Sequence, residues 1–496
     1  MNEKQQDETQ PEVANQFGLR AFGADVLTYS VGNGLLLLFG FIQVLIIPKY
    51  LSVEGYGYWQ LFKLYATYVG ILHLGFIDGI LVRWAGKELN QVGNEIGPAL
   101  KFLLLQQLIT IIPLCLILHF FFASHQPFEW IALMILAYAF VINLVTFFRF
   151  TAQATRKFKL LTAVNVGRGG IFLLFVVLLF SLGYLDYHNV IFAFLAAFLL
   201  ALLVLAFWFR KYLRSLSHSS FPLFAYGRQN IGIGIFVLLG NFVSILFLTV
   251  DRLMVSSFFS IEQFAIYSFA AAISSIAYTF VSAVGIVFFP YLSGILPELR
   301  TRAYHLAKPA IVVSWAASLA LYFPVTRLVE FYLPHYVAGL PIMQILLCTV
   351  GFGSLIQILH VNYYKAYRRQ RQYFLWGITA LALSAILNLS AIKIFGTLES
   401  VAIATLVSFA MWYIMNELTL RSVVEESNRE LLKGVVILCT YLGAFWLASF
   451  LADWFIAQML IYIGFFSIIT WLLLGSETRE LVSIANRLRK AFGGGK

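Results

Sequence analysis

GNGLLLLFGFIQVLIIPKYLSVEGYGYW, residues 32–59, returns in degenerate form as GNFVSILFLTVDRLMVSSFFSIEQFAIY, residues 240–267, offset by 208 positions without a gap. Gly32-Asn33 falls on Gly240-Asn241, Leu38-Phe39 on Leu246-Phe247, Ser52 on Ser260, Glu54 on Glu262 and Trp59 on Tyr267. Each copy is a long apolar run, a short polar turn, and a second apolar run that opens with aromatics. Matched polar residues at one register distinguish this from the self-similarity of any two greasy helices. A period near 200 residues is too long for a solenoid, whose repeats run to about 20–50. It suits two related bundles of membrane helices, the internal-repeat plan of many secondary transporters.

Composition points the same way. The 496 residues are 61% hydrophobic and 11% charged, with a mean hydropathy of +0.85. A soluble domain carries about 25% charged residues, so a chain this long and this apolar is read as a polytopic membrane protein. The opening residues MNEKQQDETQPEVANQ are polar, and no cleavable signal peptide is expected. Cys115, Cys348 and Cys439 all fall inside apolar runs, which suggests packing thiols rather than a disulfide framework or a metal site.

A span needs about 20 mainly apolar residues. Candidates lie near 25–48, 57–83, 98–122, 128–148, 160–183, 187–209, 231–257, 262–290, 304–324, 340–364, 372–395, 398–420, 434–452 and 454–474. The repeat sets spans 1–6 against 7–12 and leaves the last two as an addition. Lys and Arg crowd the connections after even-numbered spans: Arg83 and Lys87; Arg149, Arg156, Lys157 and Lys159; Arg210, Lys211, Arg214 and Arg228; Arg300 and Arg302. The alternation continues through Lys365, Arg368, Arg369 and Arg371, then Arg421, Arg429 and Lys433, and the tail from Arg479 to Lys496. Connections after odd-numbered spans are nearly bare. By the positive-inside rule both termini are cytoplasmic, and a missed helix would scramble the pattern. The net charge of +11 therefore reports orientation rather than nucleic-acid binding.

The expectation is thus an all-α polytopic membrane protein with fourteen transmembrane helices in two pseudo-twofold six-helix lobes plus two C-terminal helices. Its segments are a cytoplasmic N-terminal stretch (1–24), an N-lobe (25–209), a cytoplasmic linker (210–230), a C-lobe (231–422), two further spans (434–474) and a cytoplasmic tail (475–496). In the tail, Leu481, Ile484, Leu488 and Phe492 share one helical face beside Arg487, Arg489 and Lys490, the pattern of an amphipathic helix on an anionic leaflet.

Enzymatic motifs are absent. No Gly-rich Lys-Ser/Thr loop for a nucleotide phosphate occurs, no His/Cys/Asp cluster has metal-ligand spacing, and no cofactor is expected. Ionisable residues within spans are costly in hydrocarbon and become the functional candidates. Arg168, in Val-Gly-Arg-Gly-Gly, lies about 14 Å along a helix from Lys159 at 1.5 Å per residue. It reads either as an Arg binding an anionic head group bidentately or as a residue snorkelling to the interface. Lys63 and the Asp251-Arg252 pair sit near the outer ends of spans 2 and 7, with Gln43 at the place equivalent to Asp251. They read as a polar gate or as a structural ion pair. Asn33 and Asn241, matched in the repeat, join the gate candidates. Asp78 and Arg83 are spaced as a local helical pair. Lys101 and Lys308 hold near-equivalent places at the inner starts of spans 3 and 9, as a basic vestibule or as ordinary anchors. Arg327 with Glu330, and His360 with Asn362, are weaker candidates.

The text IPKYLSVEGYGYWQL after span 1, the segment LGFIDGILVRWAGKE closing span 2, and the echo DRLMVSSFFSIEQFAIYSFA resemble the polysaccharide flippases of the Wzx type. Those commonly carry an R-x-L-G-x-x-x-Y-G-like turn and a following L-G-x-x-x-x-[IL]-x-R segment. The resemblance implies the multidrug/oligosaccharidyl-lipid/polysaccharide exporter fold, which is MATE-like, with two six-helix lobes around a central cavity. It implies a bacterial cytoplasmic-membrane location and a substrate consisting of a polyprenyl-diphosphate-linked glycan moved from the inner to the outer leaflet. The partners it implies are that lipid, the surrounding membrane lipids and other polysaccharide-assembly proteins, with no nucleic acid. The drug-antiporter branch typically uses a carboxylate in the first helix, whereas span 1 here offers Asn33 and Gln43. A cation-coupled exporter leaning on Asp78, Asp251 or Glu330 is the second reading. A glycan-lipid polymerase or ligase would need a large outer loop, and the sequence has none.

Overall fold

The computed structural model describes residues 19–122, 127–213, 222–294 and 297–493. Every regular element among them is helical. In order they are α1 (Leu19–Tyr50), α2 (Val53–Ala66), α3 (Phe76–Trp84), α4 (Leu89–Phe122), α5 (Phe128–Ala154), α6 (Phe158–Ser181), α7 (Tyr187–Leu213) and α8 (Leu223–Phe247). Then follow α9 (Val250–Phe258), α10 (Ile261–Gly294), α11 (Pro297–Leu319), α12 (Tyr322–Tyr332), α13 (Leu340–Ser354), α14 (Val361–Ala366), α15 (Gln370–Ile394), α16 (Leu398–Leu420), α17 (Asn428–Phe450) and α18 (Phe455–Gly493). A 3-10 turn (Val69–His73) joins α2 to α3, and a π segment (Leu355–His360) joins α13 to α14.

Among the described residues, eleven helices are long and apolar enough to cross a membrane, or twelve if the bent pair Val53–His73 and Phe76–Trp84 counts as one span. The expected fourteen is therefore not reached by length and composition. Spans 1 and 8 contribute only the shorter apolar lengths Gly34–Tyr50 and Ile261–Ile276. α18 departs from helical geometry at Leu474 (φ −130°), which separates the span Phe455–Gly475 from the tail helix. The side chains of the expected amphipathic tail face lie outside the described residues.

The chain forms two compact units, one of residues 1–43 and 58–242, the other of residues 44–57 and 243–496. In the first, α6 packs on α7, α5 on both α4 and α7, and α3 on α5. Its core is aromatic. Trp59 and Phe62 on α2, Tyr138 on α5, Phe172 on α6, and Phe194 and Phe198 on α7 stack and cross with ring centroids 4.9–6.0 Å apart. In the second unit α13 is central, packing on α10 and α16, while α18 packs on α11, α12 and α17. Lipid is as apolar as a leucine side chain, so close packing and internal hydrogen bonds hold such helices together more than a solvent-driven term does.

The repeated turn folds alike in both places. Ser52 Oγ accepts from the Gly55 N–H at 3.0 Å, and Ser260 Oγ from the Gln263 N–H at 3.3 Å. The helices they cap begin at Val53 and Ile261, which are also 208 apart. The matched serines of the repeat are thus the N-caps of equivalent helices, each satisfying a backbone donor that the first turn leaves free. Trp59 and Tyr267, matched in sequence, are both buried.

Candidate functional site

The first unit carries an interrupted span. Leu74 (φ 50°) and Gly75 (φ 81°) take left-handed conformations between the 3-10 turn and α3. Non-helical backbone at membrane depth needs partners. The Leu72 carbonyl receives Gln106 and Gln107 Nε2, both at 3.3 Å, and Asn143 Nδ2 donates to Gln107 Oε1 at 2.9 Å. Glycines on both sides let α8 cross α3 in backbone contact. A Cβ on Gly79 would overlap the Asn230 carbonyl oxygen, and one on Gly234 the Gly75 carbonyl oxygen.

Asp78 opens α3 beside this break. His73 Nδ1 accepts from the Gly75 N–H at 3.2 Å, so in the neutral ring the proton sits on Nε2, which faces Asp78 Oδ2 at 3.8 Å. That separation is beyond hydrogen-bond reach, and Oδ2 has no hydrogen-bond partner among the described residues. The expected local pair of Asp78 with Arg83 does not form. Arg83 Nη2 instead reaches Glu95 Oε2 at 3.4 Å, and the same oxygen accepts from Trp84 Nε1 and Tyr226 Oη. Both residues lie within the unbroken α3, where five positions set them about 140° apart around the axis, so they do not share a face.

Arg168 is half-buried on α6, its guanidinium carbon 4.3 Å from the centroid of Phe198, with Tyr138 and Arg149 within electrostatic reach. Gly169 and Gly170 serve the approach of α1, with Leu36 and Phe39 against them, while Gly167 faces open space. Lys63 on α2 is half-buried, its amine 5.7 Å from the Trp59 ring centroid. Lys101 on α4 and Asn241 on α8 are exposed, and Gln43 on α1 is half-buried. Asn33 lies in α1, and its side chain is outside the described residues.

In the second unit Asp251 lies in the first turn of α9, where the helix dipole favours a carboxylate. It is buried and accepts from Tyr267 Oη at 2.8 Å and from the Arg252 N–H at 2.7 Å. The half-buried Arg252 follows it. Arg327 and Glu330 form an exposed i,i+3 pair at 2.6 Å, of the kind that contributes little.

Two sequence candidates, Lys308 and His360, are brought together in one dense cluster. Lys308 is 8% exposed, and its Nζ lies 2.6 Å from Glu426 Oε1 and 3.1 Å from Glu417 Oε1. His360 Nε2 is 3.2 Å from the same Glu417 oxygen, its ring stacked on Tyr413. Lys101, the expected counterpart of Lys308, shares none of this enclosure. Glu417 and Glu426 were not singled out from the sequence. Glu417 could have been, as an acid within the apolar run AMWYIMNELTL, whereas Glu426 sits in a polar connection where carboxylates are ordinary. Among the described residues no group of His, Cys, Asp and Glu has the arrangement of a metal site.

Among the described residues the chain has the helical, multi-pass architecture of a polytopic membrane protein, with polar groups set into its spans. Residues 22–296, more than half of the sequence, match the family model described as "Polysaccharide biosynthesis protein", and the chain belongs to that family. Its fold is similar to that of the lipid II flippase MurJ in an inward closed conformation, with a TM-score of 0.65 and 15% identity over 92% of this chain and 100% of that one. It is also similar to multidrug resistance MATE family transporters of the MOP superfamily, one inward-facing and one outward-facing. Each has a TM-score of 0.55 and covers 81% of this chain and 96% of its own, at 13% and 12% identity. At these identities the likeness is one of fold. No curated protein matches by sequence.

Proposed function

We propose that this protein is a flippase of the Wzx type, moving a polyprenyl-diphosphate-linked oligosaccharide from the inner to the outer leaflet of a bacterial cytoplasmic membrane by alternating access. The observation that carries the reading is Arg168, an arginine set within an apolar span, half-buried and backed by Phe198 and Arg149. A guanidinium retained at that depth is expensive, and its planar fork matches a diphosphate. The polysaccharide biosynthesis family and the lipid II flippase likeness support a lipid-linked glycan as cargo.

In this reading Arg168 is the principal contact for the anionic head, with Lys63, Arg252 and Lys101 assisting along the path. Lys308 is engaged by Glu417 and Glu426 and takes a different task, proposed below. Asp251, Asp78, Gln43, Asn33 and Asn241 are the gate candidates. The reading counts fourteen spans, adding α1 and α10 to the twelve, with both termini on the cytoplasmic side where the basic connections lie.

Depletion of the protein should make the glycan lipid accumulate facing the cytoplasm, and Arg168→Ala should reproduce this while Arg168→Lys restores part of the flux. Wild-type flux in Arg168→Ala would remove the reading's physical basis. A second reading, a cation-coupled exporter of small molecules, is favoured by one feature: Asp78 beside a broken span, with a carboxylate oxygen that no donor meets. It is distinguished by Asp78→Asn, which would then abolish export while Arg168→Ala spared it.

A further inference from the structure

The second unit buries more ionisable groups than an anchor or a simple ion pair requires. Four elements converge on Lys308. α11 supplies Lys308 itself with Tyr304. The helix ending at Ala366 supplies His360, at the close of the π segment, and Tyr364. α16 supplies Tyr413 and Glu417. The connection between α16 and α17 supplies Glu426. π segments are rare and recur at functional positions. The first turn of α17 adds Glu430, already held by the Ser427 capping box and facing His305. On α17, Gly434 lies against the cluster, where an added Cβ would come into contact with Lys308 Nζ at 3.4 Å and Tyr413 Oη at 3.5 Å.

The connection is shaped to deliver Glu426 inward. Glu425 takes a left-handed conformation (φ 54°), Val424 is fully buried, and the Glu426 N–H donates to the Arg421 carbonyl at 2.9 Å. The same left-handed closure, with the next N–H bonded five residues back, ends helices at Arg156 and Arg368, so it is the helix cap that sets the path of this connection.

Charge and hydrogen bonding then disagree unless a proton is added. Two carboxylates counted against Lys308 alone leave one negative charge in excess. Lys308 meets Oε1 of each glutamate, while Oε2 of each falls outside strict hydrogen-bond geometry; the two carboxyls lie within reach of each other, with the Tyr304 and Tyr413 hydroxyls beside Glu417. A buried acceptor without a donor and a buried uncompensated charge are both costly. A single proton on one carboxyl removes the excess charge and supplies a donor.

We propose that Glu417, Glu426 and Lys308 form a proton-binding site, in which one exchangeable proton is shared by the two carboxyl groups and reaches water through Glu426. His360 is the inner neighbour of the pair and Lys308 the fixed counter-charge. On release the proton leaves the carboxyl for water, the excess negative charge returns, and the connection carrying Glu426 loosens from beneath its apolar cover. Glu426 lies outside the spans, and burial, reinforced by Glu417 and opposed by Lys308, pushes its carboxyl up from 4.5 to about 8. Loading and unloading near neutrality suits a transporter coupled to a proton gradient. That use rests on the flippase reading, whereas the binding itself does not.

The test is an infrared difference titration of the purified full-length protein in lipid nanodiscs. A protonated-carboxyl absorption should disappear on raising the pH, with its midpoint near 8, and amide exchange in residues 421–427 should quicken through the same midpoint. Glu426→Gln keeps an oxygen for Lys308 and should lose the absorption. Glu417→Gln should move the midpoint to lower pH, and Lys308→Met should move it higher. Absence of any carboxyl titration across the neutral range overturns the proposal, as does an absorption that survives unchanged in Glu426→Gln. Should Glu417→Gln not fold, Glu426→Gln alone decides. Because no cargo is present in this experiment, failure to move a fluorescent polyprenyl-diphosphate sugar in proteoliposomes would count against the flippase reading and leave the titration result standing.

Discussion

Replacing Lys308 by methionine removes the ammonium group that bridges two buried carboxyl groups while keeping most of the side chain's volume. The amine sits 2.6 Å from Glu426 and 3.1 Å from Glu417, and the acids are 8% and 0% exposed. Breaking a buried pair by deleting one partner typically destabilises by about 3–5 kcal/mol, because the survivor is left charged and dry. That is a large fraction of the roughly 5–15 kcal/mol separating a folded domain from its unfolded chain. The penalty should rise with pH, since protonation of the orphaned acids relieves it in acid and cannot do so in alkali. The second unit contains its own reporter. Cys348 on α13 is fully buried, whereas Cys439 is exposed and Cys115 half-buried. With Cys115 and Cys439 replaced by alanine, labelling of Cys348 by a thiol-reactive dye during heating follows opening of this unit. Lys308→Met should label at markedly lower temperature, and Lys308→Met with Glu417→Gln and Glu426→Gln should recover most of the loss. A single variant as stable as wild type at every pH would show that the cluster does not carry buried charge, and the reasoning would fail.

Three other outcomes follow from the same packing. Gly79→Ala and Gly234→Ala each place a methyl into backbone of the crossing helix, so both should sharply lower folded yield in detergent, measured by size-exclusion chromatography; Gly232→Ala, which meets nothing within 4 Å, should not. Ser52→Ala and Ser260→Ala remove equivalent N-caps and should each reduce thermal stability by about 1 kcal/mol. Against pH, the raised carboxyl of Glu426 contributes stability that is fully present below about 4.5 and is lost as pH rises to about 8. The wild-type melting temperature should fall across that window, and Glu426→Gln should flatten the fall.

Much of the fold was legible before any coordinates. Twelve of the fourteen candidate spans fall on spanning helices or on the bent pair among the described residues, because an apolar run of about 20 residues has few alternatives in lipid. The break in span 2 was not legible. LHLGFID carries no proline, and the left-handed Leu74 and Gly75 become tolerable only where Gln106 and Gln107 meet the freed Leu72 carbonyl and Gly234 clears the way. Arg168 was found because an ionised group in hydrocarbon is conspicuous by itself. Glu426 was invisible for the opposite reason, as an acid in a polar connection.

From the amino-acid order alone came the membrane class, the duplicated turn with its matched serines and the cations within the apolar runs, since these depend on local composition and on distances along one helix. Which charges neutralise one another was decided only in three dimensions. Lys308 and Glu426 are 118 residues apart, and no local pattern encodes their meeting. Electrostatic energy in a low-dielectric interior falls with spatial separation, and separation along the chain says nothing about it.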